Sequence, residues 1–273
     1  MSILYHYTSV EAFLGIVQSR SLWLSGHTSM NDTHEGKWVD DLLQEALSAS
    51  SELDEEEKAE ISACYHRAKA ELLLFSMSDQ PDVLSQWRAY GNDGRGVAMG
   101  INRDVVERAE GPRDVPPSVL ADTWLGKVIY DRDEQIRQIR RWIDPPDKRY
   151  RLMPKAFLLP DINGRMLAHL NALFKNPAFD EEAEHRLVLP LHAGRAYELV
   201  DDMPQFNYPL RQRAARGRII TFVEYPLLRD RRDVFGEIWL GPKCEIDEDE
   251  VALALHLNGY EVPEIRRSSA TYR

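Results

Sequence analysis

The segment from Leu4 to Thr8 places two aromatic residues, a histidine and a hydroxyl group near the start of the chain. In a strand, Leu4, His6 and Thr8 share one face, while Tyr5 and Tyr7 share the other. A histidine can accept a hydrogen bond or carry a proton near neutral pH. His6 therefore has two interpretations: a core histidine bonded to a backbone carbonyl, or a side chain that binds a ligand.

A second stretch with chemical potential runs from Phe179 to Pro190, where an acidic loop leads into a strand. Glu182 and Glu184 project from the same side if the strand has already begun at Glu182. Two carboxylates on one side can hold a sugar hydroxyl and stabilise a developing oxocarbenium ion. The alternative is a solvated acidic turn in which Arg186 forms a salt bridge.

The polar loop before the first long helix offers potential metal ligands, namely His27, Asp32, His34 and Glu35. The usual zinc spacings are not clearly met, so we predict no metal site. The sequence favours Asn31 or Asp32 as a helix cap, with Glu35 complementing the helix dipole in the first turn.

The overall charge argues against a protein that coats nucleic acid, because 34 Lys and Arg residues face 45 Asp and Glu residues, a formal charge of -11. Residues 205–232 are the exception, with seven arginines against Glu224 and Asp230. This stretch could contact phosphates, or its charges could remain solvated or pair with one another. The arginines are at positions 211, 213, 216, 218, 229, 231 and 232.

Apolar spacing predicts that strands and helices alternate irregularly, which is typical of an α+β fold. Predicted strands are 4–8, 22–24, 72–78, 97–101, 125–130, one ending at 189, 219–223, 236–241 and 261–265. Predicted helices are 35–49, 54–71, 83–90, 134–143, 162–174 and 248–257, besides an apolar helical pattern over 13–17. We expect one domain over 1–273, with a helical insertion near 35–71, a mobile one over 103–123 and a variable helical one near 131–175.

Cysteine usage and hydropathy predict a soluble protein of the cytoplasm without a membrane partner. Cys64 and Cys244 are far apart and belong to no metal-binding spacing. No apolar run approaches the roughly 18 to 20 residues that span a bilayer, and the first residues lack a signal-peptide pattern.

Taken together, several stretches resemble the bacterial domain of unknown function 2971 (DUF2971) family. They are LYHYTSVEAFLGIVQSRSLWLS, SMNDTHEG, FSMS with DVLSQWRAYGNDGRGVAMGI, FDEEAEHRLVL, and EIWLGPK with its helix and NGYEV. These segments cover nearly all of the chain in the family's order.

The resemblance implies an ADP-ribosyltransferase-like fold, in which a split, mostly antiparallel sheet with flanking helices binds NAD. By this resemblance His6 binds the nicotinamide-side ribose, and Glu184, with Glu182 as its companion, acts on the scissile bond. Either Tyr90 or Ser76 fills the middle position.

The resemblance also implies further contacts with NAD. Tyr7, Thr8 and Ser76 are expected to line the site, and Arg88, Arg186 or an arginine of 211–218 to pair with the pyrophosphate. Family members commonly have tryptophan between the glutamate and the arginine, where this chain has His185.

We therefore expect an ADP-ribosyltransferase or NAD glycohydrolase, a bacterial toxin or phage-defence effector, that uses NAD as its substrate. Its acceptor would be a protein, a nucleic acid or water. The alternative is a non-catalytic module on the same fold that binds a nucleotide or a nucleic acid.

Overall fold

The computed structural model describes residues 2–26, 33–70, 72–107, 123–144, 159–190, 210–215, 217–227 and 231–271. Within these residues it is an α+β structure built on one ten-stranded, mostly antiparallel sheet. The strands are β1 (Ile3–Thr8), β2 (Ser21–Gly26), β3 (Leu72–Ser78), β4 (Val97–Asn102), β5 (Trp124–Lys127), β6 (Glu184–Pro190), β7 (Arg211–Ala215), β8 (Arg218–Pro226), β9 (Phe235–Leu240) and β10 (Glu264–Arg267).

Helices flank the sheet, together with a 3-10 helix, Pro177–Glu182, that leads into β6. The α-helices are α1 (Val10–Ser19), α2 (Thr33–Ala49), α3 (Glu55–Ala70), α4 (Leu84–Ala89), α5 (Arg103–Glu107), α6 (Arg132–Ile143), α7 (Leu159–Asn171) and α8 (Glu248–Leu257). No helix in the described ranges is both long and apolar enough to cross a membrane.

The strand order is β10-β9-β4-β1-β3-β2-β8-β7, and β6 pairs with both β3 and β5. Because β6 follows one edge of β3 along its whole length, β1 and β2 must share the other edge. Tyr5 of β1 pairs with Ser78, whereas Ser25 of β2 pairs with Leu74. The sheet therefore branches at β3, and Ser76 lies at the branch point.

Among the described residues, three apolar clusters surround the sheet. The largest lies on one face, where α1 and α8 cover residues such as Leu4, Phe75 and Leu187. The helical cluster on the opposite face packs α2, α3, α6 and α7 against the strand positions that include Leu74. A small aromatic cluster on this second face contains Tyr7 and Trp87.

The α+β class and the mostly antiparallel open sheet with flanking helices agree with the sequence prediction. The predicted helix 162–174 runs instead from Leu159 to Asn171, and the predicted strand 125–130 is Trp124–Lys127. The arginine-rich strand β7 was not predicted. Within the expected insertion at 103–123, residues 103–107 form α5, and residues 108–122 lie outside the described ranges.

Candidate active site: a buried carboxylate cluster

Five polar side chains meet on the second face of the sheet, between the helical and the aromatic clusters. We call them the carboxylate cluster: Tyr90, Lys175, Glu182, Glu184 and Arg186. Lys175 is 2% exposed, Arg186 is 0% exposed, and each glutamate is 6% exposed. Two cations and two carboxylates are thus removed from water together, which is tolerated because their charges balance.

Glu184 is held by two cations. The Nε and Nη2 atoms of Arg186 donate to the two carboxylate oxygens at 2.7 and 2.9 Å, and Lys175 Nζ donates to Oε2 at 3.0 Å. Arg186 is in turn fixed by a 2.9 Å bond from Nη1 to the carbonyl of Ala172. Burial by itself would raise the pKa of Glu184, but the charges of Arg186 and Lys175 outweigh it and hold the pKa well below its usual range.

Glu182 has a different environment although it shares the same lysine. Lys175 Nζ donates a short hydrogen bond to Oε2, and the Tyr90 hydroxyl donates to Oε1 at 3.2 Å. Burial raises the pKa of Glu182, Lys175 opposes that shift, and the negative charge of Glu184 adds to it. The net result is a pKa above the ordinary value.

The two carboxyl groups are therefore pushed toward opposite protonation states within one cluster. In such a pair one group can remain an ionised carboxylate while the other gains and loses a proton. Glu184 suits the first role and Glu182 the second. Lys175 joins them and offsets their mutual repulsion.

The backbone between the glutamates is strained. Ala183 has a φ of 44°, a left-handed conformation that alanine rarely adopts. Two backbone hydrogen bonds hold this conformation, each 3.1 Å long. Ala183 N donates to the carbonyl of Asp180, and Asp79 N donates to the carbonyl of Ala183. The strand begins only at Glu184, so the turn at Ala183, and not strand alternation, brings Glu182 to Lys175.

Neighbouring side chains fix the cluster from behind. Gln135, fully buried, donates from Nε2 to the carbonyls of Lys175 and Ile129 at 2.8 and 2.6 Å. The Ser78 hydroxyl donates to the carbonyl of Glu182 at 2.7 Å. The hydroxyl of Tyr130 accepts from the backbone N–H of Glu184 at 3.0 Å.

Aromatic and hydroxyl groups border the cluster on its more open side. The Phe179 ring is 36% exposed, and its centre is 5.3 Å from Lys175 Nζ. Tyr90 and Tyr130 are partly buried. The Ser76 hydroxyl is buried beside Glu184 and helps to lower the pKa of that carboxyl. It has no partner at full hydrogen-bond geometry among the described residues.

His6 lies at the branch in the sheet and does not contact either carboxylate. Its Nδ1 donates to the carbonyl of Ser76 at 2.7 Å, and its ring stacks on Phe75 with centroids 4.1 Å apart. The imidazole thus satisfies a carbonyl that the divergence of β1 and β2 leaves without a backbone donor. Burial lowers the pKa of His6 to about 4, to which the charge of Arg213 contributes, so the ring is neutral at pH 7. Ser76 connects the two regions, since its carbonyl binds His6 and its side chain lies beside Glu184.

The other predicted NAD contacts do not join the cluster. Tyr7 packs edge-on against Trp87. Its hydroxyl donates to the carbonyl of Gln80 at 2.8 Å and accepts from Val83 N at 3.1 Å. Thr8 is buried at the end of β1. Arg88 is exposed on α4.

His185, which lies between Glu184 and Arg186, projects to the face opposite Glu184. It is 3% exposed, and its Nε2 is 3.0 Å from Asp79 Oδ1. Neither ring nitrogen has good hydrogen-bond geometry with a described residue. His185 thus belongs to the side of β6 that faces the largest apolar cluster.

Sequence reasoning missed three residues of this region. Lys175 appeared only as part of a helix-ending Lys-Asn-Pro sequence, and a buried role for it had no local signal. Tyr130 and Gln135 were assigned to a strand and a helix without a function. Their roles come from tertiary contacts that bring residues 130 to 135 against residues 175 to 184.

The metal-ligand alternative falls mostly outside the described residues. His27 and Asp32, and the proposed cap Asn31, are not described, and neither are the side chains of His34 and Glu35. Within the described part of the chain, no group of three or more His, Cys, Asp or Glu side chains could hold a metal ion.

The fold and the cluster together define an α+β protein with a charge-balanced pair of carboxylates at one end of a branched sheet. The family model described as "Protein of unknown function (DUF2971)" matches residues 86–187. This match supports the resemblance to that family, and its span contains all five members of the carboxylate cluster. Searches of curated proteins and of solved structures gave no significant match.

Proposed function

We propose that this chain is an enzyme that breaks the bond between nicotinamide and ribose in NAD, as an ADP-ribosyltransferase or an NAD glycohydrolase. The observation that carries the proposal is the pair Glu182 and Glu184, which are buried together on Lys175 while burial raises the pKa of Glu182 and the charges of Arg186 and Lys175 lower that of Glu184. A bond of this type breaks through a ribosyl cation, which a fixed carboxylate stabilises.

In the proposed reaction Glu184 remains ionised throughout. The bond between ribose C1′ and the nicotinamide nitrogen breaks, and nicotinamide departs with the electron pair. Positive charge then develops on the ribose, and the Glu184 carboxylate stabilises it through the 2′-hydroxyl. Because the cluster excludes water, this charge interaction is stronger than it would be in solution.

Glu182 acts on the acceptor in this proposal. The acceptor hydroxyl or water attacks C1′, and its proton passes to Glu182. A raised pKa makes Glu182 a stronger base than an ordinary glutamate. The Tyr90 hydroxyl holds the same carboxylate and sets its orientation.

Groups around the cluster suit the remainder of NAD. The rings of Phe179, Tyr90 and Tyr130 offer surfaces for the planar nicotinamide. The His6 ring is not among these groups, because it stacks on Phe75 on the face of the largest apolar cluster.

Nicotinamide release from NAD tests the proposal. The purified protein, with water or cell extract as acceptor, should release nicotinamide, and Glu184→Gln should lower the rate about 100-fold or more. Glu181→Gln is the matched control, because Glu181 is exposed and directly precedes Glu182. No release under any of these conditions, or equal rates in Glu184→Gln and the wild type, contradicts the proposal.

The bidentate bond between Arg186 and Glu184 favours a second candidate, a non-catalytic module that binds a nucleotide. Both oxygens of Glu184 already accept hydrogen bonds from protein cations, as a purely structural ion pair would. This candidate predicts that NAD or another nucleotide raises the melting temperature without turnover, and that Glu184→Gln leaves the thermal shift intact.

A further inference from the structure

The hairpin of β7 and β8 carries arginines on a single face. Arg211 lies opposite Phe222, and Arg218 lies opposite Ala215. Residues that face each other in an antiparallel pair, and residues two apart along a strand, share a side of the sheet. Arg211, Arg213 and Arg218 therefore project together, and we call them the arginine face.

Aromatic rings form the floor of the arginine face. The guanidinium carbon of Arg213 is 5.1 Å from the centre of the Trp23 ring and 5.7 Å from that of Phe222. Arg213 Nη2 also lies 3.5 Å from the hydroxyl of Ser25. These contacts place the guanidinium over the rings, in the manner of a cation–π interaction.

The outer arginines are open to solvent. The Arg211 side chain is 57% exposed although Glu224 lies 3.2 Å away, and Arg218 is exposed as well. Among the described residues, β7 is the last strand at this edge of the sheet. In a chain with a formal charge of -11, this concentration of cations at the edge of the sheet is a local exception.

Strand register relates the arginine face to the carboxylate cluster. Ser25 of β2 pairs with both Phe222 of β8 and Leu74 of β3. Leu74 shares its face with Ser78, which pairs with Glu184. The arginines and the carboxylates are therefore on the same face of the sheet, separated by β3, β2 and β8.

We infer that the arginine face binds a single-stranded nucleic acid. Arginine forms bidentate hydrogen bonds with phosphates, and Arg211 and Arg213 are spaced by two residues of strand, about 6.8 Å. That spacing suits successive phosphates of an extended strand. Unpaired bases can stack on the guanidinium of Arg213 and on exposed parts of Trp23, which duplex bases cannot do.

This surface does not depend on the proposed reaction. If both hold, a nucleic acid on the arginine face lies on the same side of the sheet as Glu184 and can be tested as an acceptor of ADP-ribose. If NAD is not cleaved, the binding surface remains testable by itself.

Fluorescence anisotropy with a labelled oligothymidylate tests the inference on the 273-residue chain. The wild type should bind it more tightly than a duplex of the same length. Changing Arg211, Arg213 and Arg218 together to Gln should weaken binding about tenfold or more at low salt. The slope of log K against log salt concentration should also fall by about 2, as expected for three lost phosphate contacts on a single strand.

Two further variants separate the inference from simple charge effects. Changing Arg137, Arg140 and Arg141 to Gln removes the same charge from the exposed side of α6 and should leave affinity within about twofold. Arg213→Lys keeps the charge but removes the planar stack, so affinity should fall while the salt slope stays unchanged.

Three outcomes would overturn the inference. They are no binding of the wild type at low salt, an equal loss in the α6 variant, and displacement of the oligonucleotide by polyglutamate as effectively as by unlabelled oligothymidylate. The last outcome would assign the arginine face to an acidic protein.

Discussion

At the scale of single residues, the ion pair of Glu184 and Arg186 is the most demanding feature of the carboxylate cluster. Burying an isolated charge costs far more free energy than burying a paired one. Each member is therefore tolerated because the other is present. Lys175 and Glu182 complete a set of two positive and two negative side chains.

Removing one member of that pair should be costly. Arg186→Met leaves Glu184 with Lys175 as its remaining cation, and we expect unfolding free energy to fall by about 3–5 kcal/mol. The double variant Glu184→Met with Arg186→Met restores the charge balance and should lose less. Urea denaturation measures both, and a single variant as stable as the wild type would show that the pair is not buried in solution.

His6 gives a pH dependence with a definite sign. Its pKa in the folded protein is lowered from 6.5 to about 4, so below pH 6.5 the unfolded chain takes up a proton that the folded protein does not. The contribution of the neutral His6 ring to the unfolding free energy is therefore fully present above pH 6.5. It is lost as the pH falls toward 4.

We expect this residue to reduce unfolding free energy by up to about 2 kcal/mol between pH 7.5 and pH 5. His6→Gln, which cannot be protonated there, should lose less over the same interval. Urea denaturation at both pH values checks this, and identical pH dependence in the two proteins would contradict it.

At the scale of elements, the junction of the 3-10 helix and β6 determines where the two carboxylates point. The left-handed turn at Ala183 places Glu182 and Glu184 on the same lysine. Strain of this kind persists where the surrounding structure enforces it, and here Asp79 and Asp180 do so through backbone hydrogen bonds.

This turn predicts how Ala183 responds to substitution. Ala183→Val places a β-branched residue at positive φ and should destabilise the protein by about 1–2 kcal/mol. Ala183→Gly should be close to neutral, because glycine adopts this conformation readily. Comparison of the two by thermal or urea denaturation tests the turn, and equal stability of the Val and Gly variants would indicate that it has a different conformation.

Local sequence patterns predicted some of the helices and strands but not all of them. The opening β1-α1-β2 unit, the buried strand β3 and the helix α8 follow local apolar patterns, and these patterns predicted them. Strand β7 was missed because alternating arginines, and not apolar residues, face the floor of Trp23 and Phe222.

In the carboxylate cluster, too, local sequence patterns predicted some members and tertiary contacts determined the others. Glu182, Glu184 and Arg186 lie close together in sequence, so their association could be predicted, although the turn at Ala183 and not strand alternation brings Glu182 into it. Lys175 and Gln135 could not, because their roles depend on α6 and α7 packing behind β6. The placement of His6 at a branch in the sheet likewise depends on the pairing of distant strands.

At the scale of the whole molecule, the carboxylate cluster lies where two apolar clusters on one face of the sheet leave a polar gap. The helical cluster holds Lys175 and Arg186 from one side, and the aromatic cluster brings Tyr90 from the other. The branch at β3 then brings His6 next to Ser76. The architecture thus gathers Ser76, Tyr90, Tyr130 and the segment 175–186 around one pair of carboxylates.

The most direct test of this account is the pH profile of ADP-ribose transfer from NAD to water or another acceptor, measured together with nicotinamide release, in the wild type, Glu182→Gln and Glu181→Gln. The account predicts an acidic limb in the wild type with a midpoint above 4.5, because the raised pKa of Glu182 governs proton uptake from the acceptor. Glu182→Gln should lose that limb and be slower by about 100-fold, while Glu181→Gln should match the wild type. No release by the wild type, or an unchanged limb in Glu182→Gln, would contradict the account.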